Sequence, residues 1–255
     1  MDRAEFDDLW LVIPAYNEAR VLGETLAAAT AVFPHVCVVN DASTDQSGQI
    51  AQSFTPAGVR VVNHLFNLGQ GAALQTGFDY TLSDPLMSRV VTFDADGQHL
   101  VSDAVRLARR LTEGFDMVLG SRFIEATAGL GPEPDGTLTD PAVAGGQGAP
   151  ADGATKMGFA KRWLLKTAVA YTAFSVKLPL TDTHNGLRAL NRRAVEAMKL
   201  TQPGMAHATE ILERIKAEQL SFTEEGVEIR YSEYSRSKGQ SMLNSVNILV
   251  DLMLR

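Results

Sequence analysis

Two aspartates, Asp94 and Asp96, are the residues of this sequence best placed for chemistry, because they directly follow an apolar, β-branched segment. Residues 90–93 predict a buried strand, and side chains alternate along a strand, so aspartates two residues apart should point the same way. Such a pair could bind one Mg²⁺ or Mn²⁺, cations that prefer oxygen ligands and leave positions open for substrate phosphates. An Asp- and Gly-rich turn that merely ends the strand would have the same local sequence.

The segments around these aspartates alternate between predicted strands and predicted helices. Strands are predicted for residues 9–13, ended by Pro14, and for residues 36–39, 59–62, 89–93 and 115–119. Helices are predicted for residues 17–30 and 47–53, from Gly71 to about residue 82, and for residues 101–111. This alternation predicts an α/β fold with a mostly parallel central sheet and helices on both faces. Polar loops follow all five strands, so they are expected to converge at the ligand-binding edge of the sheet.

The composition changes after residue 124. Residues 125–156 hold seven glycines and four prolines among 32 residues, which predicts a flexible loop, either an inert insertion or a lid over the substrate. An amphipathic helix over 158–176, short helices over 193–198 and 208–217, a strand over 226–231 and a final helix over 241–255 are predicted beyond it. The apolar face of the final helix suits core packing or dimerisation.

Overall composition excludes several classes of function. The chain has 255 residues, of which 45% are hydrophobic and 21% charged, as in an ordinary globular protein. A net charge of -7 argues against a nucleic-acid partner, which would require a basic face. Cys37 is the only cysteine, so no internal disulfide can form, and the acidic start lacks a secretory signal; a cytoplasmic location is therefore expected. No apolar run reaches the ~20 residues of a membrane-spanning helix.

Four basic residues are candidates for binding phosphate groups: Arg122, Arg188, Arg236 and Lys238. They fall at predicted strand ends and turns of an acidic protein, and their side chains are good donors to phosphate oxygens. The segment Gly69-Gln70-Gly71 lacks the third glycine of a dinucleotide-binding fingerprint, and no glycine-rich run ends in Lys-Ser or Lys-Thr. Phosphates would therefore be held by a metal ion and by basic side chains.

Four motifs occur in an order that resembles family 2 glycosyltransferases. They are Pro14-Ala15-Tyr16-Asn17-Glu18, Asn40-Asp41-Ala42-Ser43-Thr44-Asp45, Asp94-Ala95-Asp96-Gly97-Gln98-His99 and Gly120-Ser121-Arg122. The sequence is most similar to the branch that contains dolichyl-phosphate mannose synthase and bacterial polyprenyl-phosphate sugar transferases. The resemblance covers residues 8–122 and resumes over 158–255. It implies the Rossmann-like GT-A form of the α/β fold and a hexosyltransferase that inverts configuration at the anomeric carbon.

This resemblance implies a nucleotide-sugar site in the first strand-end loops. Pro14, Tyr16 and Glu18 would lie beside the nucleoside, and Asp41 would lie on the edge of the base. An aspartate after a strand could instead cap the following helix. The residues expected to bind the nucleotide sugar are Pro14, Ala15, Tyr16, Glu18, Asp41, Asn67, Gly69, Asp94, Ala95 and Asp96.

A divalent metal site and an acceptor-side carboxylate are also implied by the resemblance. Asp96 would bind Mg²⁺ or Mn²⁺, Asp94 would contact the metal or the ribose, and Gln98 would complete the metal shell. A hydroxyl acceptor would need a carboxylate to remove its proton, and Asp182 and Glu210 are the candidates. A lipid phosphate is already an anion and needs no strong base. The expected catalytic residues are therefore Asp96, Asp182 and Glu210.

The predicted organisation is a single integrated domain with three parts. Residues 1–124 form the nucleotide-sugar half, residues 125–156 the flexible loop, and residues 157–255 the acceptor half. The expected reaction moves a hexose from a UDP- or GDP-sugar to polyprenyl phosphate, with a saccharide or protein hydroxyl as the alternative acceptor. Amphipathic helices of the acceptor half would contact the inner face of the plasma membrane or a second copy of the chain. A phosphatase and a non-catalytic, membrane-associated partner subunit are the alternatives from other classes.

Overall fold

The computed structural model describes residues 3–125, 178–204 and 206–230, which form a seven-stranded sheet between two layers of helices. The strands are β1 (Leu9–Ala15), β2 (His35–Asn40), β3 (Val59–Asn63), β4 (Arg89–Thr92), β5 (Met117–Ser121), β6 (Arg188–Asn191) and β7 (Phe222–Gly226). The α-helices are α1 (Leu22–Val32), α2 (Ser47–Ser53), α3 (Gln70–Leu82), α4 (Val101–Leu111), α5 (Arg192–Ala197) and α6 (His207–Ala217). Short 3-10 helices cover Arg3–Phe6 and Thr55–Ala57.

The sheet is mostly parallel. Its strand order is β3-β2-β1-β4-β6-β5-β7. Strand β1 pairs in parallel with β2 and β4, β2 pairs in parallel with β3, and β5 pairs in parallel with β7. Strand β6 is antiparallel to both of its neighbours, β4 and β5. The carboxyl ends of the parallel strands therefore lie at one edge, where the polar loops were expected to meet.

Strand β6 is the element that the sequence does not predict, and it decides what lies beside Asp94. Because β6 runs antiparallel, its first residue, Arg188, pairs with Thr92 at the carboxyl end of β4. The Thr92 hydroxyl also donates a 2.6 Å hydrogen bond to the carbonyl oxygen of Gly186. The polar segment 182–188 is thereby brought to the edge that carries Asp94. Four residues with an arginine and an asparagine at their ends are too few for a periodic strand pattern.

Apolar side chains cover both faces of the sheet. One cluster packs the sheet against α1, α2 and α4, and a second cluster packs the opposite face against α3, α5 and α6. Strands buried on both faces read as continuous apolar runs, which is why the first strands were recognisable in the sequence. The predicted α/β architecture with helices on both faces is confirmed.

Two predicted boundaries near the first strand differ from the structure. Helix α1 begins at Leu22 rather than at residue 17, because Asn17 has a positive φ of 55° and the N-cap Val21 has a φ of -124°, and neither value is helical. Pro14 does not end β1, since it pairs with Val39 of β2 and the strand continues to Ala15. The backbone nitrogen of Pro14 points toward β4, whose pairing with β1 ends at Val12. The missing N–H of Pro14 therefore removes no hydrogen bond from the sheet.

The strand predicted over residues 226–231 is wrong for its described residues beyond Gly226, and Tyr231 lies outside the described part of the chain. Strand β7 covers Phe222–Gly226, and Ile229 beyond it forms an isolated bridge with His99. In the described part of the chain β7 has one partner strand, β5, and its side chains include Thr223, Glu224 and Glu225. A half-buried edge strand of this kind has a weaker apolar pattern than the loop that follows it.

Several predicted elements lie outside the described residues: the loop from residue 126 to 156, the helices over 158–176 and 241–255, and the basic residues Arg236 and Lys238. The division of the chain into three parts therefore stays a prediction. Among the helices within the described ranges, none has both the length and the apolar character that crossing a membrane requires.

Close packing of α3 on β1 generates a stability prediction. A Cβ atom added at Gly77 would lie 2.3 Å from Val12 Cγ1, and Val12 is fully buried. Gly77→Ala should therefore lower the free energy of unfolding by about 1–3 kcal/mol in a urea titration. Gly23→Ala in α1 is the matched control, because its Cβ would make an ordinary 3.8 Å contact with Ile50. Equal effects of the two substitutions would contradict this packing.

Candidate active site

Asp94, just beyond β4, has both carboxylate oxygens engaged. Its Oδ2 lies 2.9 Å from His99 Nε2, and its Oδ1 accepts a 3.2 Å hydrogen bond from Gln70 Nε2 at the start of α3. Gly186 lies directly against the carboxylate, since a Cβ atom there would be 2.2 Å from Asp94 Oδ2. Three separate segments of the chain therefore fix the orientation of Asp94.

The two aspartates have different electrostatic surroundings. Burial opposes ionisation of Asp94, but the hydrogen bond and charge of His99, together with the charge of Arg188, hold its pKa below the ordinary value. Burial and the negative charge of Asp94 raise the pKa of Asp96. Asp96 Oδ1 accepts a 3.0 Å hydrogen bond from the backbone N–H of Gln98. Within the described ranges no basic side chain forms an ion pair with Asp96.

This pair of carboxylates fits a divalent cation that takes further ligands from a substrate. In the part of the chain that the structure describes, no group of three or more His, Cys, Asp or Glu side chains is arranged to hold a metal ion. A cation would relieve the repulsion that raises the pKa of Asp96. Oxygen donors suit Mg²⁺ and Mn²⁺, and the donors available here are Asp94, Asp96 and the half-buried Gln98.

The loops after β1 and β2 are joined into one wall near these aspartates. The backbone N–H of Thr44 donates a 2.8 Å hydrogen bond to Asn17 Oδ1, which stabilises the positive φ of Asn17. The charge of Glu18 in the same loop acts on Asp96. Tyr16 leaves 44% of its surface exposed on this wall, so an aromatic face is available to a ligand.

Asp41, just beyond β2, is buried and holds the loop after β3. Its carboxylate accepts hydrogen bonds from the backbone N–H groups of Leu68 and Gly69, each at 2.8 Å, and from the His64 ring at 2.7 Å. It does not cap α2, whose first residue, Ser47, donates its backbone N–H to Asp45 Oδ1 at 2.9 Å instead. Asn67 lies exposed on the loop that Asp41 holds.

Arg122, just beyond β5, and Asp182 form a two-pronged ion pair. The Arg122 guanidinium donates to the Asp182 carboxylate through Nε at 2.7 Å and Nη2 at 2.9 Å. The backbone N–H of His184 adds a further hydrogen bond to Asp182 at 3.2 Å. Burial opposes ionisation of Asp182, but the bonds and charge of Arg122 hold its pKa below the ordinary value. Asp182 is therefore a stable, fully engaged anion.

Arg188 is a buried cation that interacts electrostatically with both Asp94 and Asp182. It exposes 4% of its surface, and its Nη1 has no hydrogen-bond partner among the residues that the structure describes. Burial lowers the pKa of its guanidinium, and the charges of Asp94 and Asp182 oppose that effect. A buried donor without a partner is unusual in a folded protein and suggests that a ligand supplies the acceptor.

Glu210 anchors the loop that precedes α6. Both of its oxygens accept from the Thr201 N–H at 2.9 Å, Oε1 accepts from the Thr201 hydroxyl at 2.8 Å, and Oε2 accepts from the Gln202 N–H at 2.9 Å. Burial opposes ionisation of Glu210, but these hydrogen bonds hold its pKa below the ordinary value. No hydrogen bond in the described residues connects Glu210 with Asp94 or Asp96.

Comparison with known proteins agrees with this arrangement of strand-end loops. The model of the family described as "Glycosyl transferase family 2" matches residues 10–198. The chain belongs to this family. The predicted family and the predicted enzyme class, a glycosyltransferase, are thereby confirmed.

Relatives of this family 2 glycosyltransferase include proteins of archaea and bacteria. An uncharacterised protein of Methanocaldococcus jannaschii is 29% identical over 255 residues, which cover 98% of this chain and 92% of that protein. Polyprenol monophosphomannose synthase of Mycolicibacterium smegmatis is 29% identical over 196 residues, which cover 75% of this chain and 64% of the synthase.

A solved structure confirms the GT-A fold. Glucosyl-3-phosphoglycerate synthase from Mycobacterium tuberculosis superposes with a TM-score of 0.60 at 14% sequence identity, covering 98% of this chain and 79% of that one. That synthase was crystallised with Mn²⁺, uridine diphosphate and phosphoglyceric acid.

The tertiary structure of this glycosyltransferase assembles most of the predicted site at one edge of the sheet. Beside or near the carboxyl ends of the parallel strands lie Pro14, Ala15, Tyr16, Glu18, Asp41, Asn67, Gly69, Asp94, Ala95, Asp96, Gln98 and Arg122, with Asp182 and Arg188 brought there by β6. Arg236 and Lys238 are outside the described residues, whose last member, Arg230, donates its backbone N–H to the Gln98 carbonyl.

Three polar residues of the site escaped prediction: Gln70, His99 and His64. The signals that could have found them were weak. His99 ends the aspartate motif, and Gln70 stands between two glycines at the start of a helix. His64 follows a strand in a loop with no motif of its own.

The position of Glu210 generates a prediction that separates stability from ligand binding. Glu210→Gln should lower the free energy of unfolding by about 1–3 kcal/mol, because an amide has one acceptor oxygen for hydrogen bonds that now use two. Urea unfolding measures this loss, and calorimetric binding of nucleotide with Mn²⁺ should be unchanged. Glu213→Gln, exposed on the same helix, is the control for removing one charge. Weakened nucleotide binding by a stable Glu210→Gln protein would place Glu210 in the site.

Proposed function

We propose that this enzyme transfers a hexose from a UDP- or GDP-linked sugar to polyprenyl phosphate, with inversion at the anomeric carbon. The observation that carries the proposal is the engagement of both candidate bases. Asp182 is paired with Arg122, and Glu210 is bound to its neighbouring loop. A hydroxyl acceptor requires a base to remove its proton, whereas a phosphate acceptor is already an anion.

Positive charge on the acceptor side supports an anionic acceptor. The Arg122 side chain is 38% exposed beside Asp182, and the buried Arg188 has a donor atom for which the described part of the chain supplies no acceptor. Both guanidinium groups suit phosphate oxygens. We assign Arg236 and Lys238 to the same role from the sequence. Polyprenol monophosphomannose synthase, by its name, makes a sugar-phosphate linkage to a polyprenol, and its similarity to this chain supports the same acceptor class.

The donor would bind where the loops after β1, β2 and β3 meet. Pro14, Ala15, Tyr16 and Glu18 would line the nucleoside, with Asp41, Asn67, Gly69 and Ala95 around it. Asp94, Asp96 and Gln98 would hold Mg²⁺ or Mn²⁺, which when bound would neutralise the charge of the departing nucleoside diphosphate. Gln70 and His99 keep Asp94 oriented for this role.

The transfer itself would be one displacement. An oxygen of the acceptor phosphate forms a bond to the anomeric carbon while the bond from that carbon to the nucleoside diphosphate breaks, so the nucleoside diphosphate leaves with the electron pair. Arg122 and Arg188 would orient the attacking phosphate, and no proton has to be moved. The enzyme would meet its lipid acceptor as a cytoplasmic protein at the inner face of the plasma membrane.

A hydroxyl acceptor is the second candidate, with Asp182 as its base. The observation in its favour is the presence of phosphoglyceric acid in the crystallised synthase that shares this fold. Asp182 would then have to leave Arg122 in order to accept a proton, and its lowered pKa makes it a weak base.

The donor site is tested by calorimetry. UDP or GDP should bind in the presence of Mn²⁺, and Asp96→Asn should weaken this binding at least about tenfold, because removing a metal-site group commonly costs that much. Asp79→Asn, which removes one exposed carboxylate from α3, is the matched control and should bind normally. Unchanged binding by Asp96→Asn would remove Asp96 from the metal site.

The acceptor is tested by product analysis with labelled UDP-glucose or GDP-mannose. Undecaprenyl phosphate should give a lipid-soluble labelled product, and 3-phosphoglycerate serves as the soluble acceptor for comparison. Asp182→Asn should reduce kcat less than about tenfold and raise KM for the lipid, because a true general base contributes about 10²–10⁴-fold. A larger fall in kcat at unchanged thermal stability would favour the hydroxyl acceptor and a base role for Asp182.

A further inference from the structure

We propose that His64, which lies just beyond β3, is a positioning residue for the metal site and acts on Asp94 through Gln70. The inference deepens the proposed function and rests on it for the identity of the metal site. It starts from the His64 ring, whose two nitrogens contact different elements. Nδ1 lies 2.7 Å from Asp41 Oδ1, and Nε2 lies 2.9 Å from the Thr76 hydroxyl on α3.

The chemistry of the partners defines the direction of these hydrogen bonds. An ionised carboxylate only accepts, so Nδ1–H of His64 donates to Asp41. In the neutral ring Nε2 then accepts from the hydroxyl of Thr76. The His64 side chain is 8% exposed, and its backbone N–H donates to the Asn40 carbonyl at 3.0 Å. His64 therefore bridges the end of β2 and the body of α3.

The same carboxylate fixes the backbone that leads into α3. Asp41 accepts from the N–H groups of Leu68 and Gly69, the two residues that precede Gln70. Together with the ring of His64, these donors use three of the roughly four acceptor positions of a carboxylate. One position is left for a ligand, so holding the loop does not exclude the nucleoside contact assigned to Asp41.

A third contact holds the first turn of α3 against residues 202–203. The backbone N–H of Gly71 donates to the Pro203 carbonyl at 2.8 Å. The approach is close enough that a Cβ atom on Gly71 would lie 2.0 Å from the carbonyl oxygen of Gln202. The N-terminal end of α3 is thus held by His64 and Asp41 through Thr76 and the preceding loop, and by residues 202–203 through the Gly71 N–H.

These contacts together position Gln70, the first residue of α3. Its Nε2 donates to Asp94 Oδ1, so the position of the helix end sets the position of one Asp94 oxygen. His64 does not touch Asp94, and its effect on the metal site must pass through the loop and Gln70. A hydrogen-bond path therefore runs from the nucleoside side of the sheet to the metal side.

The test compares two replacements of His64, one that retains the hydrogen bond to Asp41 and one that retains the contact with Thr76. His64→Asn retains a donor near the position of Nδ1 and should keep Mn²⁺-dependent nucleotide affinity within about threefold. His64→Gln reaches toward Thr76 but loses the bond to Asp41, and it should weaken that affinity about tenfold, the lower end of what metal-supporting residues contribute. His35→Gln, on the opposite edge of the sheet, is the matched control and should bind normally.

A double-mutant cycle decides whether His64 acts through Gln70. Gln70→Ala should weaken binding by a similar factor, and His64→Gln combined with Gln70→Ala should be no weaker than the worse single variant. Multiplying losses would show that His64 affects binding by general destabilisation and would overturn the proposal. So would normal binding by His64→Gln.

A measurement without ligand separates this inference from the proposed function. In amide hydrogen exchange, His64→Gln should speed exchange of the Leu68 and Gly69 N–H groups, and the Gln70 side-chain amide signal in NMR should shift. If these changes occur but the unmodified enzyme binds no nucleotide, the proposed function is wrong and the hydrogen-bond path from His64 to Gln70 is still supported. Unchanged exchange and an unchanged Gln70 signal would defeat the path.

Discussion

The site depends on how charge is balanced around two neighbouring carboxylates at the carboxyl edge of the sheet. Asp94 is compensated within the protein by His99, Gln70 and the nearby charge of Arg188. Asp96 accepts one backbone hydrogen bond but forms no ion pair in the described part of the chain, and burial and the charge of Asp94 oppose its ionisation. Burying charge without a partner is unfavourable, so a bound cation would stabilise the ionised form of Asp96. Asp94 is therefore oriented by its protein partners, whereas Asp96 is the residue that would gain more from a metal ion.

The antiparallel strand β6 supplies the rest of this balance. Its reversed direction carries Gly186, Arg188 and the preceding Asp182 to the edge where β4 ends. Gly186 lets the backbone approach the Asp94 carboxylate, since a side chain there would collide with it. Arg188 adds buried positive charge, and within residues 3–125, 178–204 and 206–230 no acceptor bonds to its Nη1. The diphosphate and the anionic acceptor that we propose for this site would both benefit from a fixed cation of this kind, because it needs no reorganisation during the reaction.

Hydrogen bonds connect the loops where we propose that the donor binds. Asn17 joins the loops after β1 and β2, while Asp41 and His64 join the loop after β2 to the loop after β3 and to α3. Each contact links residues that are distant in sequence, so the loops form one surface. Preorganisation of this sort reduces the entropy lost when a nucleotide sugar binds.

The sequence by itself determined the strand-helix alternation, the parallel sheet and the Asp94 and Asp96 pair, because all of these arise from spacing between near neighbours. It could not show β6, whose four residues lack a periodic pattern, nor that β7 precedes the more apolar residues after it. It also could not distinguish Asp182 from Glu210. Asp182 pairs with Arg122, 60 residues away, whereas Glu210 binds a loop within nine residues of itself. The tertiary structure decided these partners, because the partner of a carboxylate depends on which distant segments the sheet packs against it.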